Sequence, residues 1–327
     1  MKIILKILAG IAILLAGILI YVQFAWNKKY EAAYPEISAS KDSAIIARGK
    51  YLAFGPAHCG HCHVPMDKIM EVDNGLQPPL SGGWTLKIPP GTFVAPNITP
   101  DTETGIGKLT DGEIARTLRY SVGSDGRCIM PFMPFQGMSD EDLTAVISFL
   151  RSQQPVKFQQ PKSQQPTLLG KAIFTFGLIK PEVPASTPPK SVRIDSIAEY
   201  GGYLANSVAN CVGCHTNRDM KTGALIGPHF AGGLLMEPEI PGGTFHMTPN
   251  LTPDPTGVTA NWTEEMFITR FKKGRVLKES PMPWGAFSRI NDLELKAIYR
   301  YLKSLDPVEN KIPKTIFLPG EKLPETK

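Results

Sequence analysis

The side chains in this 327-residue protein best suited to holding a metal or cofactor are its five cysteines and six histidines, and most of them fall into two matching groups. Cys59-Gly-His-Cys62-His63 recurs as Cys211-Val-Gly-Cys214-His215. Two thiols separated by two residues, with an imidazole directly after the second, form the attachment signal of c-type haem. The thiols form thioethers to the porphyrin and the histidine supplies the proximal ligand. Neither group completes a four-ligand cysteine/histidine zinc set with suitable spacing. The motifs therefore predict two covalently bound haem c groups, one held by Cys59, Cys62 and His63 and the other by Cys211, Cys214 and His215. With four cysteines so used, no disulfide framework remains.

The sixth iron position decides whether such a centre reacts or only relays electrons. Met130 follows His63 by 67 residues, Met282 follows His215 by 67, and a proline comes directly after each. Methionine is a frequent core filler, but the same spacing twice points to thioether ligation. The expected iron ligands are His63, Met130, His215 and Met282. Met133, also followed by proline, is the nearest competitor, while Met138 and Met247 lack counterparts. His58, His61, His229 and His246 have no twins and read as surface or hydrogen-bonded side chains. Cys128 aligns with Ser280, which leaves it as a small buried side chain or an alternative iron ligand two residues from Met130. No paired carboxylates or nucleophile motif stand out, so no catalytic residues are expected and the chain reads as an electron-transfer protein rather than an enzyme.

The elements that must position these groups also come twice. Gly49-Lys-Tyr51-Leu-Ala matches Gly201-Gly-Tyr203-Leu-Ala, Gly91-Thr-Phe93 matches Gly243-Thr-Phe245, and Asn97-Ile-Thr-Pro-Asp101 matches Asn250-Leu-Thr-Pro-Asp254. Residues 130–152 align without a gap to 282–304. A first helix is expected from about Asp42 to Phe54, with Ile45, Ile46, Gly49 and Leu52 near one face. A last helix should follow Ser139 as N-cap, with Leu143, Val146, Ile147 and Leu150 at helical spacing, and its twin should follow Asn291 with Leu295, Ile298, Tyr299 and Leu302. Middle helices are expected at Glu113–Val122 and Glu264–Lys273, capped by Thr110 and Thr263. Glycine and proline crowd the stretches between haem motif and middle helix, which argues for loops rather than strands.

The fold class predicted is mainly α: two tandem cytochrome c-like domains, short helices and long loops around a covalent haem each, preceded by a transmembrane helix. The porphyrin supplies apolar packing that so much irregular backbone would otherwise lack. The expected divisions are residues 1–30 (membrane anchor or signal), 31–152 (first domain), 153–193 (proline-rich connection), 194–308 (second domain) and 309–327 (polar tail). Within the connection, Leu168 to Ile179 is apolar and aromatic apart from Lys171. It is too short to span a membrane, and either packs on the domains or meets the bilayer surface or a partner subunit.

Lys2 and Lys6 precede an apolar run from Ile7 to about Trp26, broken only by Gln23, which is long enough to cross a bilayer. A cleaved signal peptide is the competing reading, but the run exceeds an ordinary signal core and no A-x-A-like site follows it directly. The net charge of +5 comes without any lysine/arginine block, so nucleic-acid binding is not expected.

The run from Gly91 to Gly107, then Leu-Thr-Asp-Gly-Glu, Met130-Pro and Met138-Ser-Asp-Glu-Asp-Leu143, resembles the cytochrome c subunits of membrane-bound bacterial alcohol, aldehyde and gluconate dehydrogenases. The likeness covers roughly residues 42–308. It implies redox partner proteins: a dehydrogenase subunit as electron donor, and a quinone, an oxidase or another cytochrome as acceptor. Haem attachment to C-x-x-C-H motifs resembles what is done outside the cytoplasmic membrane in bacteria, so the expected place is the cytoplasmic (inner) membrane with the haem domains, residues 30 onward, facing the periplasm. Those subunits commonly have three haem domains and this chain has two. The contrasting possibilities are a dihaem redox enzyme of the peroxidase or thiosulfate-oxidising type, with one iron open or unusually ligated, and a gas-binding sensor.

Overall fold

The computed structural model describes residues 1–219, 223–238, 242–277 and 279–324. The last three residues of the expected polar tail lie outside the described residues. The architecture is mainly helical. Helix α1 (Lys2–Ala25) is long and apolar enough to cross a membrane, and all of its residues are exposed or half-exposed except Val22. The remaining chain places two helix pairs back to back.

In the first pair, α2 (Ser43–Phe54) crosses α6 (Asp140–Ser152); α3 (Cys59–Cys62), α4 (Ile69–Asp73) and α5 (Asp111–Tyr120) lie between them in sequence. Asp42 starts α2 as expected, accepting hydrogen bonds from the Ala44 and Ile45 N–H groups. Gly49 is buried where the helices cross: a Cβ there would lie 1.8 Å from the Ala145 carbonyl oxygen, so only glycine permits the approach. Ile45, expected on that face, is instead 36% exposed. Helix α6 begins at Ser139, whose hydroxyl accepts from the Asp142 N–H. Its Leu143, Val146, Ile147 and Leu150 are all buried, and burial of each such side chain contributes about 1.5–3 kcal/mol. Helix α5 starts two residues before the expected Glu113, because Thr110 and Glu113 form a reciprocal capping box. It ends at Ser121 in the left-handed region (φ 54°).

The second pair repeats this packing. Helix α8 (Ala198–Tyr203) crosses α12 (Asp292–Ser304), with the missing Cβ of Gly201 1.9 Å from the Ala297 carbonyl oxygen. Between them come α9 (Cys211–Cys214), α10 (Glu264–Lys272) and α11 (Trp284–Phe287). A π-helical turn, Leu204–Val208, extends α8. Thr263 and Asn291 cap α10 and α12 as expected.

The glycine- and proline-rich stretches contain more order than their composition suggests. Strands β1 (Thr85–Ile88) and β2 (Gly91–Val94) form a hairpin, and β3 (Gln164–Pro166) from the connecting segment pairs antiparallel with β2. In the second half β4 (Leu235–Met236), β5 (Phe245–Met247) and β6 (Ile316–Phe317) form the corresponding sheet, β6 coming from the tail. Backbone pairing brought in from distant chain is what makes these segments strands, and local composition does not report it. Helix α7 (Leu168–Thr175) fills the apolar centre of the connecting segment and packs against the end of α1.

Candidate metal centres

The two thiol-and-imidazole groups are built the same way. His58 and Asn210, immediately ahead of them, both adopt left-handed backbone (φ 41° and 53°), which turns the chain sharply into a single helical turn. In α3 and α9 the two cysteines stand three residues apart and so share a helix face. The His63 N–H then donates to the Cys59 carbonyl at 2.9 Å, and the His215 N–H to the Cys211 carbonyl at 2.8 Å.

Both imidazoles are buried, His63 8% and His215 9% exposed. His63 Nδ1 lies 2.9 Å from the Pro96 carbonyl oxygen and His215 Nδ1 lies 3.0 Å from that of Pro249. A carbonyl only accepts, so Nδ1 carries the proton and Nε2 keeps a free lone pair in both rings. Burial pushes both imidazoles below the usual histidine range, which favours the neutral form that ligates metals. Burial likewise pushes the Cys59 and Cys211 thiols up to about 12 and raises that of Cys214.

The repeated Asn-x-Thr-Pro-Asp motif explains how those carbonyls are held. Asn97 is buried directly after Pro96. Its Nδ2 donates to the Val156 carbonyl at 2.8 Å, and its Oδ1 accepts from the Thr99 N–H at 3.0 Å and the Thr99 hydroxyl at 2.8 Å. Asn250 makes the same bonds with Val308 (2.8 Å) and Thr252 (2.9 and 2.8 Å). Sequence reading found the motif but not its task, and it missed Pro96 and Pro249. The signal was present, since each repeated asparagine follows a proline, and Pro155-Val156 recurs as Pro307-Val308.

In the first half, Cys59, Cys62, His63 and Met130 line one cavity of about 400 Å3. Its walls include Trp84, Phe93, Ile114, Leu118, Val146 and Leu150, so a flat apolar macrocycle would find apolar surface beside two thiols and an imidazole nitrogen. The residues fit a c-type haem. Met133 lines the same cavity as Met130. Met130 is held by its N–H, which donates to Gln164 Oε1 at 3.1 Å. Met282 is half-buried against the core, and its local backbone matches that of Met130: the Phe132 N–H donates to the Met130 carbonyl and the Trp284 N–H to the Met282 carbonyl, both at 2.7 Å. Cys128 is absent from the cavity lining. It packs in an apolar cluster with Phe174 and with Phe93 and Met130, which also line the cavity, and burial pushes its thiol up to about 12.

Other histidines do different work. His58, half-buried, has Nδ1 3.0 Å from the Pro56 carbonyl and packs edge-on against Phe287 of the second half (5.4 Å between centroids). His229 is exposed, and the buried Nε2 of His246 has no hydrogen-bond partner among the described residues. The second half also braces the first: Arg275 Nε lies 2.5 Å from Asp73 Oδ2, and Arg289 donates to the Phe54 carbonyl at 2.8 Å.

Two single-turn helices, each presenting paired thiols beside a buried imidazole with its Nε2 lone pair free, resemble the haem-attachment sites of c-type cytochromes. The chain is 30% identical over 295 residues to the cytochrome c subunit of the quinone-dependent alcohol dehydrogenase of Gluconobacter oxydans, covering 82% of this chain and 56% of that one. It is 30% identical over 285 residues to the gluconate 2-dehydrogenase cytochrome c subunit of Pantoea cypripedii, covering 81% and 60%. A diheme cytochrome c-type protein of Cereibacter sphaeroides is 27% identical over 225 residues, covering 64% and 69%. No family model matches the chain. The chain is thus a homologue of the cytochrome c subunits of dehydrogenases, and spans little more than half the length of the first two relatives. Such homologues imply covalently bound haem c.

Proposed function

We propose that this protein is a membrane-anchored periplasmic dihaem cytochrome c, built of two tandem cytochrome c domains, that passes electrons from a dehydrogenase partner towards the respiratory chain. The carrying observation is the duplicated imidazole setting: two buried histidines, each directly after a C-x-x-C turn and each oriented by a proline carbonyl at 2.9–3.0 Å. When bound, haem supplies one-electron cycling of its iron between ferrous and ferric states. The chain's own residues fix its position and surroundings. Cys59, Cys62, Cys211 and Cys214 would tether it, and His63, His215, Met130 and Met282 would serve as iron ligands. The apolar lining of the first-half cavity would surround the macrocycle with low-dielectric walls, which favours electron exchange over reaction with small molecules.

The donor in this reading is a dehydrogenase subunit, as for the relatives named above, and the acceptor is a quinone, an oxidase or another cytochrome. Anchoring by α1 and attachment of haem outside the cytoplasmic membrane set the periplasmic location. The test is the purified protein itself: two haems per chain, a sulfur-to-iron charge-transfer band in the ferric spectrum, and no carbon monoxide binding when reduced. An absent charge-transfer band rules out the methionine ligation; carbon monoxide binding to the native reduced form shifts the reading to an enzyme or sensor.

A further inference from the structure

We infer that the outer face of α7 lies in the headgroup region of the membrane beside α1, so that the first half is docked on the bilayer as well as tethered to it. This rests on the reading of α1 as a membrane-spanning helix. A bilayer core of about 30 Å takes about 20 residues of helix at about 1.5 Å each. Twenty residues counted from Ile3 end at Val22, and counted from Ile7 they end at Trp26. With either start, Gln23 to Trp26 stand at the far boundary, where a tryptophan is well placed.

Helix α7 is fixed at that level. Lys171 Nζ donates to Gln23 Oε1 at 2.9 Å and lies 5.8 Å from the centre of the Trp26 ring. The inner face of α7 belongs to the protein: Gly170 sits so close to Pro90 that a Cβ would be 1.9 Å from its carbonyl oxygen, and Phe174 is buried with Phe93 and Met130. The outer face of α7 and the turn that follows it are apolar and uncovered, with Leu168, Leu169, Phe176 and Leu178 each 51–60% exposed. Four large apolar side chains beside the emerging anchor form a surface that water solvates poorly and the lipid interface accepts. Exposed Lys162 and Lys180 flank the segment in sequence, exposed Lys28 follows the end of α1, and all three suit anionic headgroups. The occupant is therefore lipid, not a protein partner. Because Phe174 and Met130 share one cluster, the half that carries the first haem motif is the one set against the membrane.

The test uses the full-length holoprotein in nanodiscs containing phosphatidylglycerol and a phospholipid with a photoreactive diazirine high on its acyl chain, with labelled peptides mapped by mass spectrometry. Labelling of 168–178 at least tenfold above the α12 peptide, together with labelling of α1, is the expected result. Label on α1 with 168–178 at background overturns this inference and leaves the anchor reading intact. Absence of label from α1 overturns the anchor reading on which it rests. Replacing Leu168, Leu169 and Phe176 by serine, with the haem spectrum unchanged, is expected to lower the labelling of 168–178 at least fivefold and leave that of α1 unaltered; undiminished labelling counts against docking by these side chains.

Discussion

Tyr51 and Tyr203 hold reciprocal places across the junction of the two halves. Tyr51 donates its hydroxyl hydrogen to Glu294 and accepts from the Asn291 N–H at 3.0 Å; Tyr203 donates to Asp142 at 2.8 Å and accepts from the Ser139 N–H at 3.1 Å. Each tyrosine thus reaches the N-terminus of the last helix of the other half. Arg48 lies between the two acids, 2.9 Å from Asp142 Oδ1 and 2.9 Å from Glu294 Oε1, and Tyr200 also donates to Glu294 at 2.7 Å. Burial pushes all three phenols up, with the neighbouring carboxylates adding to it, so they remain hydrogen-bond donors at any ordinary pH.

This arrangement predicts the effect of removing its cation. Arg48→Met leaves Asp142 and a wholly buried Glu294 without their counter-charge, and stripping one partner from a buried pair costs about 3–5 kcal/mol. Urea unfolding followed by circular dichroism should show that loss. A loss below about 1 kcal/mol would mean that the junction does not depend on the charge.

The crossing glycines should be intolerant of even a methyl group. Gly49→Ala and Gly201→Ala each force a Cβ into a carbonyl oxygen of the facing helix, and overpacking of this kind costs about 1–3 kcal/mol or more. Lower melting temperatures are expected for both, whereas Gly177→Ala, with nothing within 4 Å but a positive φ, should show only the smaller backbone penalty.

Asn97→Ala should act at one haem alone. It removes the bonds that hold the segment after Pro96 and leaves the Val156 carbonyl and Thr99 N–H in need of partners, for about 1–3 kcal/mol. In the proposed holoprotein, a redox titration should show one of two haem potentials shifted and the other unmoved. Equal movement of both would argue against separate centres.

Glu182 gives a dependence on pH. It is partly buried, which pushes its carboxyl above the usual range, although Gln136 Nε2 donates to it at 2.8 Å. A carboxyl with a raised folded-state pKa contributes stability below its unfolded value of about 4.3 and loses it as pH rises through the folded value. Glu182→Gln should therefore raise the melting temperature at pH 7 and give no gain near pH 4. A gain that is largest in acid would reverse the sign and refute the assignment.

Much of the candidate site is legible along the chain. The thiols, the imidazoles and the Met-Pro pairs announce themselves by spacing, and the caps Asp42, Thr110, Ser139, Thr263 and Asn291 act within three residues of themselves, so local sequence specifies them. The strands were not legible. β3 and β6 come from segments far along the chain from the hairpin strands they complete, and neither has the alternation that marks a strand by itself.

What the sequence alone determined is the local part of each candidate centre: two thiols and an imidazole, whose covalent spacing on one helical turn leaves little choice. The tertiary structure decided the rest. It brought the Pro96 and Pro249 carbonyls to the histidines, put Met130 in the cavity with His63, left Cys128 out of that lining though packed in one cluster with Met130, and locked the halves through Arg48. These are through-space relationships between residues tens to hundreds of positions apart, set by packing and charge compensation in the folded chain, which no local pattern encodes.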